Sequence, residues 1–488
     1  MALTARTGID VSPPPGRVPL VHAIPYAEPL ELFATFAQDA QAMLFDCPEP
    51  GAPRSRHAYI AISPYSTIMA DRGGVVVDGH RVAGSPWDIL STCCRSARMR
   101  AIPGLPPFQG GAAGLLGYEL NRYLEDLPSP AGSDRVTRDM VVGLYDLVIA
   151  FDCVRQSAWI LSSGLPETHE RARLYRAQAR CEWLIERLEA RSPMPPMDDR
   201  TRAPVIAELS RRAYVERIET IKDYISAGDI YQTNFTQKFT ATLPSGLSRF
   251  DLYRRLRARS RAPFSVFLNI DADSALLSVS PERFVSVDAG GAIETRPIKG
   301  TRPRGRTPAE DAMLARDLLA SEKDKAENLM IVDLMRNDLS RVAEIGSVRV
   351  PTLFGLESFA SVHHLVSVVQ ARLRPGFDAI DLLRAAFPGG SITGAPKIRA
   401  MEIIAELEAG PRGAYCGSAF WLGFSGAMDS SILIRSPVVA AGRILIQAGG
   451  GIVADSDPLD EYEECLVKAR AMIEAVQLTS GTPHADLD

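Results

Sequence analysis

The sequence predicts a soluble protein of mixed α and β structure, and three observations carry that prediction. Hydrophobic residues make up 46% of the chain and charged residues 23%, the mix of an ordinary globular protein. Short β-like runs alternate with helical stretches. No segment is both long and apolar enough to span a bilayer. The apolar share suffices for a core and excludes disorder as the main state. Lys+Arg total 54 and Asp+Glu 59, a net charge of −5. That balance argues against a nucleic-acid or membrane-surface partner, because neither anionic surface finds excess positive charge here. An anionic small molecule needs only a few local cations and stays compatible.

In chain order, residues 1–16 end in Pro13-Pro14-Pro15 and read as a loose leader. Residues 17–190 form a first subdomain, with β-like runs at 74–77 and 141–151 and an Arg-rich helix near 167–188. Within it, 109–114 (QGGAAG) reads as a Gly-rich turn. The longest apolar stretch, 140–151, carries Asp146 and is too short to span a bilayer. Residues 191–204, rich in Pro and charge, read as a linker. Residues 205–477 form the main region, and 478–488 a polar tail. At 488 residues the chain has the length of about three domains.

Strands are expected at 275–279 and 284–287. Thr307-Pro308-Ala309-Glu310 pairs an N-cap with a Pro in the first turn, so a helix should start there. Asp457-Pro458-Leu459-Asp460 starts another. Its spacing places Leu459, Tyr462, Leu466 and Ile473 on one face, with Glu461, Glu464 and Lys468 on a neighbouring one.

The seven cysteines are scattered and form no C-x-x-C, so neither a disulfide framework nor a zinc site is expected. No signal segment opens the chain, and the reading is a reduced, cytoplasmic protein. The chain holds only seven lysines, at 222, 238, 299, 323, 325, 397 and 468, none before residue 222. Arginine serves nearly everywhere else as the solvated cation. Each Lys is therefore worth asking about, since Lys can lose its proton and act as a nucleophile and Arg cannot.

Several segments offer chemistry, each with a plainer alternative. Asp324 and Glu327 share a helix face; by pattern alone that is a solvated acidic face. If it met Glu461 and Glu464 in space, the carboxylates would suit Mg²⁺, a hard ion that keeps several waters. Residues 388–397 (PGGSITGAPK) run a Gly-rich loop into a helix whose apolar face is Ile398, Met401, Ile404 and Ala405. A helix start of this kind binds anions. It is not a nucleotide P-loop, because Ala395-Pro396 stands where Lys-Ser/Thr is required. Residues 448–451 (AGGG) read as a second Gly-rich loop, after a strand at 444–447, where backbone approaches a ligand. Lys299 lies among Arg296, Arg302 and Arg304, either a basic surface turn or an amine nucleophile beside Glu282 as acid/base. His363 and His364 lack metal-ligand spacing.

Together these segments closely resemble the chorismate-utilising enzymes, and within them the synthase component (component I) of the 4-amino-4-deoxychorismate, or para-aminobenzoate, synthases. The matching stretches are GDIYQTN (228–234), SPERF (280–284), RPIKGTRPR (296–304), ENLMIVDLMRNDL (327–339), HHLVS (363–367), FPGGSITGAPKIRAMEII (387–404), LIRS (433–436) and QAGGGIVADSDPLDEYEE (447–464). The first subdomain matches through PFQGGAAGLLGY (107–118) and GLYDLVIAFD (143–152). Anthranilate synthase component I, the alternative, typically carries Ala where this chain has Lys299. Isochorismate and salicylate synthases usually place a water-activating Lys near the position of Gln232.

The resemblance implies an α+β fold, the chorismate-binding-enzyme fold of large antiparallel sheets packed as a sandwich with helices outside. It implies an Mg²⁺-dependent amino transfer to chorismate, leading towards p-aminobenzoate and folate. Lys299 would be the nucleophile, Glu282 the acid, and His364 a group at the departing side. Glu327, Glu464 and Glu461 would hold Mg²⁺. Ser391, Arg435, the amides of Gly449, Gly450 and Gly451, and Lys468 would contact the substrate. No Cys has the setting of a glutaminase nucleophile, so a separate glutamine amidotransferase subunit would supply ammonia. In relatives the region around residues 47–57 and the 260–265 segment line an amino-acid pocket, represented here by Ser55, Pro263, Phe264 and Ser265. Ser260 stands where the family commonly has Asn, which argues against feedback by tryptophan.

Overall fold

The computed structural model describes residues 17–130, 137–197, 200–359 and 362–477. The leader at 1–16 and the tail at 478–488 fall outside the described residues. Two twelve-stranded, antiparallel sheets form the frame. Neither belongs to one half of the sequence. In the first sheet, Met43–Phe45 pairs with Phe264–Asn269. In the second, Gly111–Leu116 pairs with Ser418–Gly423. Chain on both sides of 191–204 thus completes both sheets.

The burial pattern makes this a four-layer sandwich. One core lies between the sheets and includes Tyr59, Val141, Val266, Leu268 and Trp421. A second lies between the first sheet and its helices, with Ile60, Phe267, Tyr253 and Met472. A third lies under the helices on the second sheet, with Val142, Phe420, Ile331 and Leu383. Successive strand residues point to opposite faces, so Val266 and Leu268 enter the central core while Phe267 enters the helix-covered one. Strands buried on both faces read as continuous apolar runs. That explains the 140–151 stretch, which is a pair of strands, Met140–Tyr145 and Leu147–Asp152. No helix among the described residues is long and apolar enough to cross a membrane.

Several local expectations need correction. Residues 449–451 are not a loop but part of the strand Arg443–Ile452, paired along Gln232–Thr242. A Cβ on Gly449 would lie 1.9 Å from the Phe235 carbonyl oxygen, so close backbone approach, not a turn, demands glycine there. Gly111 and Gly114 likewise lie in a strand. Ile398 and Leu459 are both 47% exposed. The apolar face of the helix Lys397–Leu407 is instead Ala400, Met401, Ile403, Ile404 and Leu407. The helix Pro308–Ala320 starts as expected, with the Thr307 hydroxyl accepting from the Glu310 amide at 3.2 Å.

Candidate active site

Lys299 lies on the strand Ile298–Pro303, which pairs with Val362–Arg372. The register slips between Ile298 and Thr301, so Lys299 and Gly300 form a bulge. Gly300 has a φ of +82°, and a Cβ there would sit 2.9 Å from side-chain atoms of Asp324 and Leu318. A bulge of this kind re-aims a side chain out of the ladder. The Lys299 amine and the Gln232 carboxamide both close on Gly451: a Cβ there would be 3.5 Å from Lys299 Nζ and 2.4 Å from Gln232 Nε2.

Glu282 follows the strand Ser274–Ser280 and is 6% exposed. Burial pushes its carboxyl up to about 7, against the opposing pull of the Ser391 hydroxyl and the charges of Lys299 and Arg435. A carboxyl half protonated near pH 7 is poised to give a proton and take one back. Ser391 sits in the short turn Gly390–Ile392, and its buried hydroxyl lacks a partner at hydrogen-bond geometry. Arg435 has a φ of +53°. Burial draws its pKa down and the Glu282 charge opposes this. His364 is buried, and burial together with the Arg435 charge lowers its pKa to about 4. Its ring is therefore neutral at neutral pH, with Nδ1 2.9 Å from the Thr301 hydroxyl. His363 is bound elsewhere, 3.0 Å from Asp311 and 2.8 Å from Ser358.

The carboxylates come from two helices, Glu322–Ser340 and Pro458–Gln477. Burial raises the pKa of Glu327, and the charges of Asp324 and Glu464 add to this while Lys299 and Lys323 oppose it. Next to Gly450, a Cβ would lie 3.0 Å from Glu461 Oε2, 3.4 Å from Lys468 Nζ and 3.7 Å from Glu464 Oε1. Across the two helices the link is electrostatic: the Glu464 charge is felt at Glu327. Lys468 donates to the Gly449 carbonyl at 3.0 Å and pairs with Glu464 at 2.6 Å. Glu461 accepts from Ser456 at 2.7 Å. Among the described residues no three His, Cys, Asp or Glu side chains form a ready metal cage. The donors nevertheless fit the chemistry of Mg²⁺: hard carboxylate oxygens whose charges oppose one another, which a hard cation would neutralise.

Two groups in this chamber stand outside the expected set. Gln232 is fully buried, and neither its Nε2 nor its Oε1 has a hydrogen-bond partner. Asn234 Oδ1 is likewise buried and unpartnered. They are two residues apart on one strand, hence on one face. Polar residues at alternate positions of a strand whose other face is apolar, with Phe235 and Phe239, are the signal that could have found them.

Of the four pocket residues, Pro263, Phe264 and Ser265 line a separate cavity of about 290 Å³ with Phe45, Tyr59 and Trp421. Ser55 is not in its lining; its hydroxyl is 3.4 Å from Cys47 Sγ.

The chorismate binding enzyme family matches residues 41–474, and the chain belongs to it. Aminodeoxychorismate synthase component 1 of Escherichia coli (strain K12) is 47% identical over 441 residues, 89% of this chain and 93% of that one. Anthranilate synthase component 1 of Streptomyces coelicolor is 41% identical over 422 residues, 82% and 80% of the two chains. The crystal structure of anthranilate synthase component I from Streptococcus pneumoniae TIGR4 superposes with a TM-score of 0.78 at 32% identity, covering 87% of this chain and 94% of that one.

Proposed function

We propose that the chain is the chorismate-converting component of an aminodeoxychorismate synthase, turning chorismate and ammonia into 4-amino-4-deoxychorismate and water. The observation that carries this reading is Lys299, an amine without an ion pair among the described residues, whose charge acts on Glu282, a buried carboxyl with a pKa of about 7. Lys299 Nζ adds to the ring diene as the C4–O bond breaks, and Glu282 gives its proton to the departing hydroxyl, which leaves as water. Ammonia then forms the new C4–N bond while the Lys299–ring bond breaks, and Glu282 takes up the proton that ammonia sheds. Two allylic displacements replace one difficult direct substitution. Atoms balance: a hydroxyl is exchanged for an amino group and the amine is regenerated.

Arg435, Ser391, Lys468 and the strand Gly449–Gly451 orient the substrate's carboxylates. The neutral ring of His364 stands at the departing side as a hydrogen-bonding group, not as an acid. Glu327 and Glu464, with Glu461 beside them, would hold Mg²⁺, which when bound neutralises a substrate carboxylate and fixes the ring. Gln232 and Asn234 add unspent donors and acceptors for the same ligand.

A glutamine amidotransferase subunit supplies ammonia, since ammonium predominates at neutral pH and is no nucleophile. The wording "component 1" in the relatives' names supports a partner. The seven unpaired cysteines support a reducing, cytoplasmic setting. The test is direct. Incubation of the purified chain with chorismate, Mg²⁺ and an ammonium salt at alkaline pH should yield 4-amino-4-deoxychorismate. Anthranilate as the product would refute the reading.

A further inference from the structure

The strand that carries Lys299 is tied to the first subdomain through a carboxylate the reaction does not consume. Glu357, on the strand Arg349–Ser358, lies directly across from His364, and His364 across from Thr301. Its carboxylate accepts a fork from Arg54, at 3.3 and 2.8 Å. Arg296, three residues before Lys299, forms a second, very close ion pair with it. The Arg54 guanidinium also lies over the Phe359 ring, 5.8 Å from its centroid. That ring meets His364 edge-on at 5.5 Å. The three charged side chains are only 12%, 18% and 21% exposed for Arg54, Glu357 and Arg296.

A bulge has lost its local ladder bonds, so its geometry depends on its flanks. One flank is held by Arg302, paired with Asp317 at 2.9 Å and Asp324 at 3.2 Å. The other flank is Arg296. We propose that Glu357, clamped between Arg54 and Arg296, is a positioning residue that sets the Lys299–Gly300 bulge and the ring of His364 for reaction. Arg54, 303 residues away from Glu357 in sequence, is its anchor. The inference rests on Lys299 being the reacting amine.

Steady-state turnover of chorismate with Mg²⁺ and ammonium tests it, on the wild type, Glu357→Gln, Arg54→Met, Arg54→Lys and the Arg54→Met/Glu357→Gln double variant. In Glu357→Gln, kcat should fall roughly 10- to 100-fold, the usual cost of a small misplacement of a reacting group. KM for chorismate should stay within about threefold, because the groups that bind its carboxylates are untouched. Arg54→Met should lose kcat in the same way, Arg54→Lys should recover part of the loss, and the double variant should be no worse than Glu357→Gln. If Glu357→Gln yields no soluble protein, the two Arg54 variants carry the test. An active wild type with unchanged kcat in these variants, or with losses confined to KM or additive in the double variant, would overturn the inference and leave the proposed reaction standing. An inactive wild type would overturn the reaction, and the inference with it.

Discussion

The candidate catalytic chamber and the aromatic cavity hold their charged and polar side chains in opposite ways. In the chamber, Glu282, Lys299, Glu327 and Arg435 form no ion pair among the described residues, and the buried amide of Gln232 has no partner. Around the cavity the charges are matched. Arg56 pairs with Asp152 at 2.7 Å and Arg283 with Asp429 at 2.9 Å. Asp46, with a fully buried side chain, holds Arg257 and accepts from the Tyr253 hydroxyl at 2.9 Å. A buried polar group without a partner is costly. A chamber that keeps several is therefore arranged for a ligand, and a cavity whose charges are matched is arranged for stability. Arg54 borders both, lining the cavity and reaching Glu357.

The comparison is sharpened most by Lys299. Replacing it with Ala or Arg should lower product formation by about 10³-fold or more, because neither side chain supplies a nucleophilic amine. If Lys299→Arg keeps most activity, the residue only balances charge and the chamber loses its defining group.

Glu282→Gln should cost about 10²- to 10⁴-fold in kcat, the range of a lost general acid. At a fixed concentration of free ammonia, wild-type kcat should fall as pH rises through about 7, as this carboxyl loses its proton, and the limb should vanish in the variant. The linkage sign follows from the same shift. A raised carboxyl pKa means stability is fully present at low pH and is lost as pH rises through the folded-state value. Glu282→Gln should therefore unfold at a less pH-dependent temperature between about 5 and 8, measurable by thermal melts.

Glu327→Gln and Glu464→Gln should each reduce turnover at saturating Mg²⁺ by about 10²-fold, through loss of a charged oxygen ligand. Folding should be intact, and for Glu327, whose burial already disfavours the charge, the melting temperature should hold or rise. Unchanged Mg²⁺ dependence in both would remove the metal assignment.

The smallest catalytic effect should come from the cavity side. Asp46→Asn strands Arg257 and should cost roughly 3–5 kcal/mol of stability, as breaking a buried pair does, while kcat stays within about threefold. A large loss of kcat without a loss of stability would break the comparison.

The candidate residues of the chamber were legible in the sequence because they sit in short, dense motifs. SPERF and RPIKGTRPR hold Glu282 and Lys299, and the acidic helix faces hold Glu327, Glu461 and Glu464. Their electrostatic coupling was not legible, since the two helices are far apart in sequence and pack on different sheets, Glu322–Ser340 on the second and Pro458–Gln477 on the first. The glycines 449–451 misled because glycine is rare in strands; Gly449 is pressed against the Phe235 backbone, while Gly450 and Gly451 leave space for the side chains of Glu461, Lys468 and Gln232, contacts no local pattern reports. The sandwich came from the family resemblance; the chain pattern by itself gave only mixed α and β, since strands buried on both faces lose their alternation. The Arg54–Glu357 pair was invisible for a simpler reason: its partners are 303 residues apart.

One measurement tests the central claim that Lys299 bonds to the substrate. The wild-type chain is incubated with chorismate and Mg²⁺ without ammonia, quenched, digested, and the peptide bearing Lys299 is weighed by mass spectrometry. The account predicts an added mass equal to chorismate less water on Lys299, which disappears when ammonium is supplied and 4-amino-4-deoxychorismate forms. An unmodified Lys299 in a preparation that still makes the product when given ammonium would contradict it, and ammonia would then have to attack the ring directly.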